Sequence, residues 1–190
     1  MLEYADGMPM DQVGWGHVNE AQLRRFLALH SSYFNLVHRA PAIAKVEASN
    51  LLYHIERTLQ QRVENQLLAG AIGPADSKVT LLVGHDTNIA ALAALLGLHW
   101  KVDGRTDDTP PGTELAFELW QDSRGGYSVH VAIAMQTLEQ MRTAQDSPPA
   151  REELHMPGCR AGQSACTWTD FRRMAEKAVD KDDVLSFEIR

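Results

Sequence analysis

Val79-Thr80-Leu81-Leu82-Val83-Gly84-His85-Asp86-Thr87-Asn88-Ile89 is the stretch on which the reading of this chain turns. Its first five residues form a short β-rich apolar run, of the kind buried on both faces of a parallel sheet. From Ile89 the spacing changes: Ile89, Leu92, Ala93 and Leu96 recur on one helical face until Gly97 ends it. The polar quintet from Gly84 to Asn88 therefore lies where a strand hands over to a helix, the edge of an open α/β sheet at which ligands bind. A helix N-terminus there presents backbone N–H groups and the positive end of a dipole, which suits an anion such as phosphate. His85 as an imidazolium would hold a phosphoryl oxygen, and Asp86 as a carboxylic acid would protonate an oxygen leaving group. The plainer reading makes Asp86 or Thr87 an ordinary N-cap and His85 a packed loop residue.

Upstream of this stretch the pattern is helical. Asn19 followed by Gln22 predicts a capping box, and Leu23, Phe26, Leu27, His30, Tyr33, Phe34 and Val37 recur at three-and-four spacing as one buried face. Pro41 suits the first turn of a second helix, in which Val46, Leu51, Leu52, Ile55, Leu59, Val63 and Leu67 form another stripe. Gly70 and Gly73-Pro74 stop it, and the two helices read as a helical hairpin. Downstream, Leu115, Phe117 and Leu119 share one face of a strand, and Val129, Val131, Ile133 and Met135 share one face of the next. Asp122-Ser123-Arg124-Gly125-Gly126 reads as the hairpin turn between them. A connection containing Pro148-Pro149 and Pro157 leads to a last helix around Trp168 to Val179.

With 190 residues the chain has length for one compact domain, or one and a fraction. Hydrophobic residues at 44% and charged residues at 23% argue against disorder, and no apolar run approaches the roughly 18 residues of a membrane span. A net charge of −7 without any Lys/Arg stripe argues against nucleic acid as a partner. Cys159 and Cys166 lie seven apart with no histidine at ligand spacing, which favours a local disulfide, a pair of free thiols being the alternative. The chain opens Met-Leu-Glu-Tyr-Ala-Asp, which is not a secretory signal, so the expectation is a cytosolic chain or one whose true beginning lies elsewhere. Taken alone, His30 on the apolar face of its helix reads as a core histidine. His17, His38, His54, His99, His130 and His155 share no spacing that assembles a metal site.

The string from Val79 to Ile89, then Asp108-Thr109-Pro110-Pro111-Gly112-Thr113-Glu114-Leu115, then Met135-Gln136-Thr137-Leu138-Glu139-Gln140-Met141-Arg142, resembles the bacterial histidine acid phosphatases, in their periplasmic phytase and acid phosphatase branch. Gly7-Met8-Pro9, Gly14-Trp15-Gly16, Leu29-His30, Arg39 and the Cys159/Cys166 pair fall in that family's order, so the likeness covers nearly the whole chain. The resemblance implies an α/β fold, part of a histidine-phosphatase (phosphoglycerate-mutase-like) sheet with a helical insertion. Residues 1–75 would belong to the insertion and its connections, and residues 76–190 to the C-terminal part of the α/β domain.

It further implies that His85 is a phosphate ligand and Asp86 the proton donor, with Thr87 and His30 in the substrate pocket, no metal or other cofactor, a phosphomonoester substrate and a periplasmic location. The family's nucleophile is a histidine in an Arg-His-Gly-x-Arg-x-Pro motif, which these 190 residues lack; His38-Arg39-Ala40-Pro41 has the wrong order. The chain therefore resembles the C-terminal half of such an enzyme, inactive by itself, with the nucleophile supplied by a missing N-terminal half or a second chain. Glu47 stands where phytases of this branch tend to carry a basic residue, which counts against phytate more than against phosphatase chemistry. Two rival readings are a catalytically inactive phosphate-binding protein and a metal-dependent phosphohydrolase with a His-Asp ligand pair.

Overall fold

Asn19 starts the first long helix by the reciprocal arrangement its sequence predicts: the Gln22 N–H donates to Asn19 Oδ1 at 3.0 Å, and the Asn19 N–H donates to Gln22 Oε1 at 2.9 Å. The computed structural model describes residues 1–159 and 165–185. A short helix α1 (Leu2–Ala5) precedes this one, α2 (Glu20–Val37), and Pro41 opens α3 (Pro41–Glu64) at its first position. Asn65, at φ 52°, turns the chain back along α3. The returning segment is tied down by side chains of that helix: His54 Nδ1 donates to the Gly70 carbonyl at 2.6 Å, Arg57 Nε to the Ala69 carbonyl at 2.9 Å, and Ile72 N–H to Thr58 Oγ1 at 2.9 Å. These bonds satisfy backbone that no secondary structure would satisfy.

The two long helices do not form the expected hairpin. α2 packs on a small two-stranded ladder of β1 (Lys101–Val102) and β2 (Arg105–Thr106), whereas α3 packs on α4 (Asp86–Leu96) and on α6 (Trp168–Ala178). An apolar stripe marks a face to be covered without naming its cover. Small residues decided the outcome for α3, where Ala44, Ala48 and Leu52 are buried in one cluster with Ala91, Leu92, Ala93 and Leu96 of α4. Only part of the predicted α2 face is buried. Leu23 and Phe34 are, Leu27 and Val37 are half-buried, and Phe26, His30 and Tyr33 are exposed.

The described sheet is antiparallel. β3 (Glu114–Gln121) and β4 (Tyr127–Met135) pair around the Asp122–Gly126 turn in register Gln121↔Tyr127, with the Asp122 N–H donating to the Gly126 carbonyl at 2.9 Å. The other edge of β4 takes β5 (Ala150–Leu154) along its C-terminal half and β6 (Ala165–Thr167) along its N-terminal half. Val129, Val131, Ile133 and Met135 are all fully buried, as their alternation predicts, under α3, α4 and α6. A second cluster joins Tyr4, Val13 and Leu23 to Leu138 of α5 (Leu138–Thr143), where Arg142 donates to the Tyr4 and Met8 carbonyls, each at 2.9 Å.

Val79–Val83 departs most from expectation. It joins no ladder, and every residue from 78 to 86 is exposed, Val79 at 84%, Leu81 at 80% and Val83 at 91%. A strand exists only through hydrogen bonds to a neighbour, and none of the described residues provides one.

Cys159 and Cys166 are joined in a disulfide that ties the Pro157 turn to β6; residues 160–164 between them lie outside the described ones. Replacing both cysteines by Ser is expected to cost about 2–3 kcal/mol through the loop entropy of the unfolded chain, read as a lower urea midpoint. Alkylation without reductant, followed by mass spectrometry, should label neither cysteine in protein from an oxidising compartment; two labelled thiols would remove the bridge.

Glu56 of α3 faces α6 at 5% exposure, and burial pushes its carboxyl above the usual glutamate range against the pull of Arg172 and Arg57. A folded-state value above the unfolded one gives stability that is fully present on the acid side of the ordinary glutamate range and lost as pH rises through the raised value. Glu56→Gln should therefore melt with the wild type in acid and above it at neutral pH. Parallel melting curves across that window would show that the carboxyl is not desolvated.

Candidate active site

The residues at issue are the first of α4. His85 is its N-cap, extended at φ −113° and ψ 163°, and Asp86 is its first residue, an acidic group where the helix dipole favours one. The His85 N–H donates to Asn88 Oδ1 at 2.8 Å, and the Asn88 N–H returns to the His85 carbonyl at 3.0 Å. Asp86 Oδ1 accepts the Thr87 N–H at 2.8 Å. A Cβ on Gly84 would come within 2.8 Å of Asn88 Oδ1, so a larger residue there would push the Asn88 side chain off the His85 N–H. At the far end Gly97, at φ 66°, closes α4 in the left-handed conformation. The buried Ala90–Ala93 run of α4 fixes this helix on α3.

His85 and Asp86 are both exposed and Thr87 is half-buried, so His85 is not packed in a loop. An imidazole, a carboxyl and a threonine hydroxyl thus stand together at a helix N-terminus. That set can bind an oxyanion and pass a proton to an oxygen beside it.

His30 belongs to a different neighbourhood. It is exposed on α2, not a core histidine, with its ring centroid 4.3 Å from that of Phe34 and its Nδ1 3.7 Å from Asp108 Oδ1. Asp108 is buried and accepts from Arg105 Nη1 at 3.0 Å. No hydrogen bond or ion pair among the described residues joins His30 to His85, Asp86 or Thr87.

Arg39 works inward instead. It is buried at the corner between α2 and α3, donates to the Leu98 carbonyl at 2.7 Å, lies 3.5 Å from Asp107 Oδ2 and covers Trp100. Desolvation lowers its guanidinium from the ordinary arginine range, and Asp107 pulls the other way. Glu47 faces His38 Nδ1 at 3.1 Å.

Two groups received no role from the sequence. Asn88 belongs to the polar quintet and stands third after the N-cap, the spacing that identifies Gln22 after Asn19. Asp108 stands in the sequence only within a motif; its burial beside Arg105 depends on the β1–β2 turn, which two-residue strands leave invisible to periodicity.

A model of the histidine phosphatase superfamily (branch 2) matches residues 5–134. Phytase AppA of Escherichia coli (strain K12) is 34% identical over 186 residues, covering 94% of this chain and 42% of that protein. Glucose-1-phosphatase of Salmonella typhimurium is 31% identical over 165 residues, covering 83% and 38%. The structure of Hafnia alvei phytase in complex with tartrate superposes with a TM-score of 0.84 at 34% identity, over 97% of this chain and 46% of that one. The chain thus spans less than half the length of these relatives.

Proposed function

The chain belongs to the histidine phosphatase superfamily (branch 2), and from that premise we propose that it carries the proton-donating half of an acid phosphatase acting on phosphomonoesters through a phosphohistidine. The observation that supports this most is the exposed His85-Asp86-Thr87 cluster at the N-terminus of α4, directly after the unpaired Val79–Val83 run. In this reading a histidine from an N-terminal half, or from a second chain, attacks phosphorus; a P–N bond forms as the P–O bond to the alcohol breaks. Asp86 gives its proton to the departing oxygen and, now a carboxylate, takes one from the water that cleaves the phosphohistidine. His85, arginines of the other half and the helix N–H groups hold the phosphoryl oxygens, and Thr87 and His30 contact the substrate, without a metal. Residues 1–75 go with the helical insertion and 76–190 with the α/β domain, and the intact enzyme is periplasmic. Phytate is one candidate substrate; Glu47 beside His38 offers it a carboxylate instead of a cation.

The test is hydrolysis of a chromogenic phosphomonoester in the presence of a chelator. The 190 residues alone should not turn over, whereas joined to a half bearing the Arg-His-Gly motif they should, and His85→Ala should abolish the gain. Metal-free turnover by these 190 residues alone, above a His85→Ala control, would overturn the mechanism. Saturable phosphate binding without turnover in the joined protein would favour the inactive phosphate-binding reading.

A further inference from the structure

His30 and Asp108 meet beside the seam between α2 and the β1–β2 ladder, and the partners of Asp108 leave its two carboxylate oxygens unequal. Asp108 is buried. Arg105 Nη1 donates to Oδ2 at 3.0 Å, and the other amino group of Arg105 donates to the Gln136 carbonyl, so the guanidinium is fixed from both sides. Trp100 Nε1 holds the backbone of the same residue by donating to the Asp108 carbonyl at 3.0 Å. Oδ1 is the oxygen left over, and it faces His30 Nδ1 at 3.7 Å. The imidazole is held in turn by Phe34, one turn further along α2, with the ring centroids 4.3 Å apart. Its side chain is 42% exposed, and Nε2, which makes no hydrogen bond among the described residues, is the nitrogen free for a ligand.

We propose that Asp108 is the positioning residue for His30: its carboxylate keeps the imidazole proton on Nδ1, so that Nε2 is the nitrogen offered to the substrate. The inference rests on the reading above in which His30 contacts the phosphomonoester. A neutral imidazole carries one proton, and the partner of one nitrogen decides which of the two holds it. A carboxylate only accepts, so it selects the Nδ1–H form. At 3.7 Å the pair is longer than a hydrogen bond, yet the field of a buried carboxylate at that distance already favours a proton on the nitrogen facing it, and such contacts tighten when substrate binds. Nε2 then accepts from a hydroxyl on the alcohol part of the substrate. Arg105 makes the consequence sharp. In Asp108→Asn the guanidinium, which only donates, still requires an acceptor where Oδ2 stood, so the amide oxygen stays there and the NH2 group turns to His30. That group donates to Nδ1 and sends the proton to Nε2. A substitution that hardly alters side-chain size therefore inverts the tautomer.

Nitrogen-15 NMR of the completed enzyme, these 190 residues joined to a half bearing the Arg-His-Gly motif and labelled at histidine, tests this at about pH 9, well above the ordinary imidazole range. His30→Gln identifies the His30 signals. The wild type should show a protonated Nδ1 and a bare Nε2, and Asp108→Asn the reverse. In the same variant KM for an alkyl phosphomonoester carrying a free hydroxyl should rise by about 3-fold to 10-fold, the loss of one hydrogen bond, with a smaller effect on kcat. An Asp108 that served packing alone would lower the melting temperature and leave the tautomer where it was. A protonated Nε2 in the wild type would overturn the proposal without any variant. So would an unchanged tautomer in an Asp108→Asn protein that melts cooperatively, or an inverted tautomer with KM unchanged. Failure of the phosphatase reading looks different: the joined protein would not turn over, while the inverted tautomer would still support Asp108 as the group that positions His30.

Discussion

Replacing Asp86 by Asn in the completed enzyme is expected to slow hydrolysis of alkyl phosphates by on the order of 100-fold to 10,000-fold, the contribution of a positioned general acid. Activated aryl phosphates should lose far less. An alkoxide is too basic to depart without a proton, whereas a nitrophenolate leaves readily as the anion. Asn keeps the size of the side chain and an Oδ1 able to accept the Thr87 N–H, so the start of α4 is preserved while the proton is removed. Single-turnover rates on paired alkyl and aryl esters give the comparison. Equal losses on both would reduce Asp86 to a cap or a binding group.

The second large effect concerns association. Val79, Leu81, Leu82 and Val83 are exposed in a run that pairs with nothing among the described residues. An unpaired apolar segment offers backbone groups and side chains to any chain that can add a strand. The 190 residues alone should therefore be oligomeric or poorly soluble by light scattering, despite a net charge of −7. Leu81→Lys with Val83→Lys should restore a monomer without lowering the melting temperature, because both side chains lie in solvent. In the completed protein the same pair should instead block assembly, since a central strand buried on both faces tolerates no lysine. If the wild-type chain is a monomer that melts cooperatively and binds no exposed-surface dye, these residues form a self-sufficient domain, and the inactive phosphate-binding reading moves ahead.

Local chemistry was legible in the sequence because it is written over three or four residues. The Asn19–Gln22 box, Pro41 at the first turn of α3, the Asp122–Gly126 turn, the alternation of Val129 to Met135 and the last helix from Trp168 each depend on neighbours along the chain. The string from Val79 to Ile89 also carried the family, which the whole-chain comparisons support.

Partnership was not legible. α2 and α3 have stripes that would suit a hairpin, yet small residues on α3 let α4 approach, and α2 went to the β1–β2 ladder. β5 follows Pro148-Pro149 and pairs β4 only because the β4 edge is free to receive it. Glu56 looks in sequence like one more helical charge; only the approach of α6 buries it and opens a cavity beside it. The sequence by itself determined the long helices, the β3–β4 hairpin and the start of α4 at His85-Asp86, since those are set by backbone preference and period. Which faces meet, and that Val79–Val83 stays unpaired, the tertiary structure decided, because burial and ladder bonds belong to pairs of segments and not to any one of them.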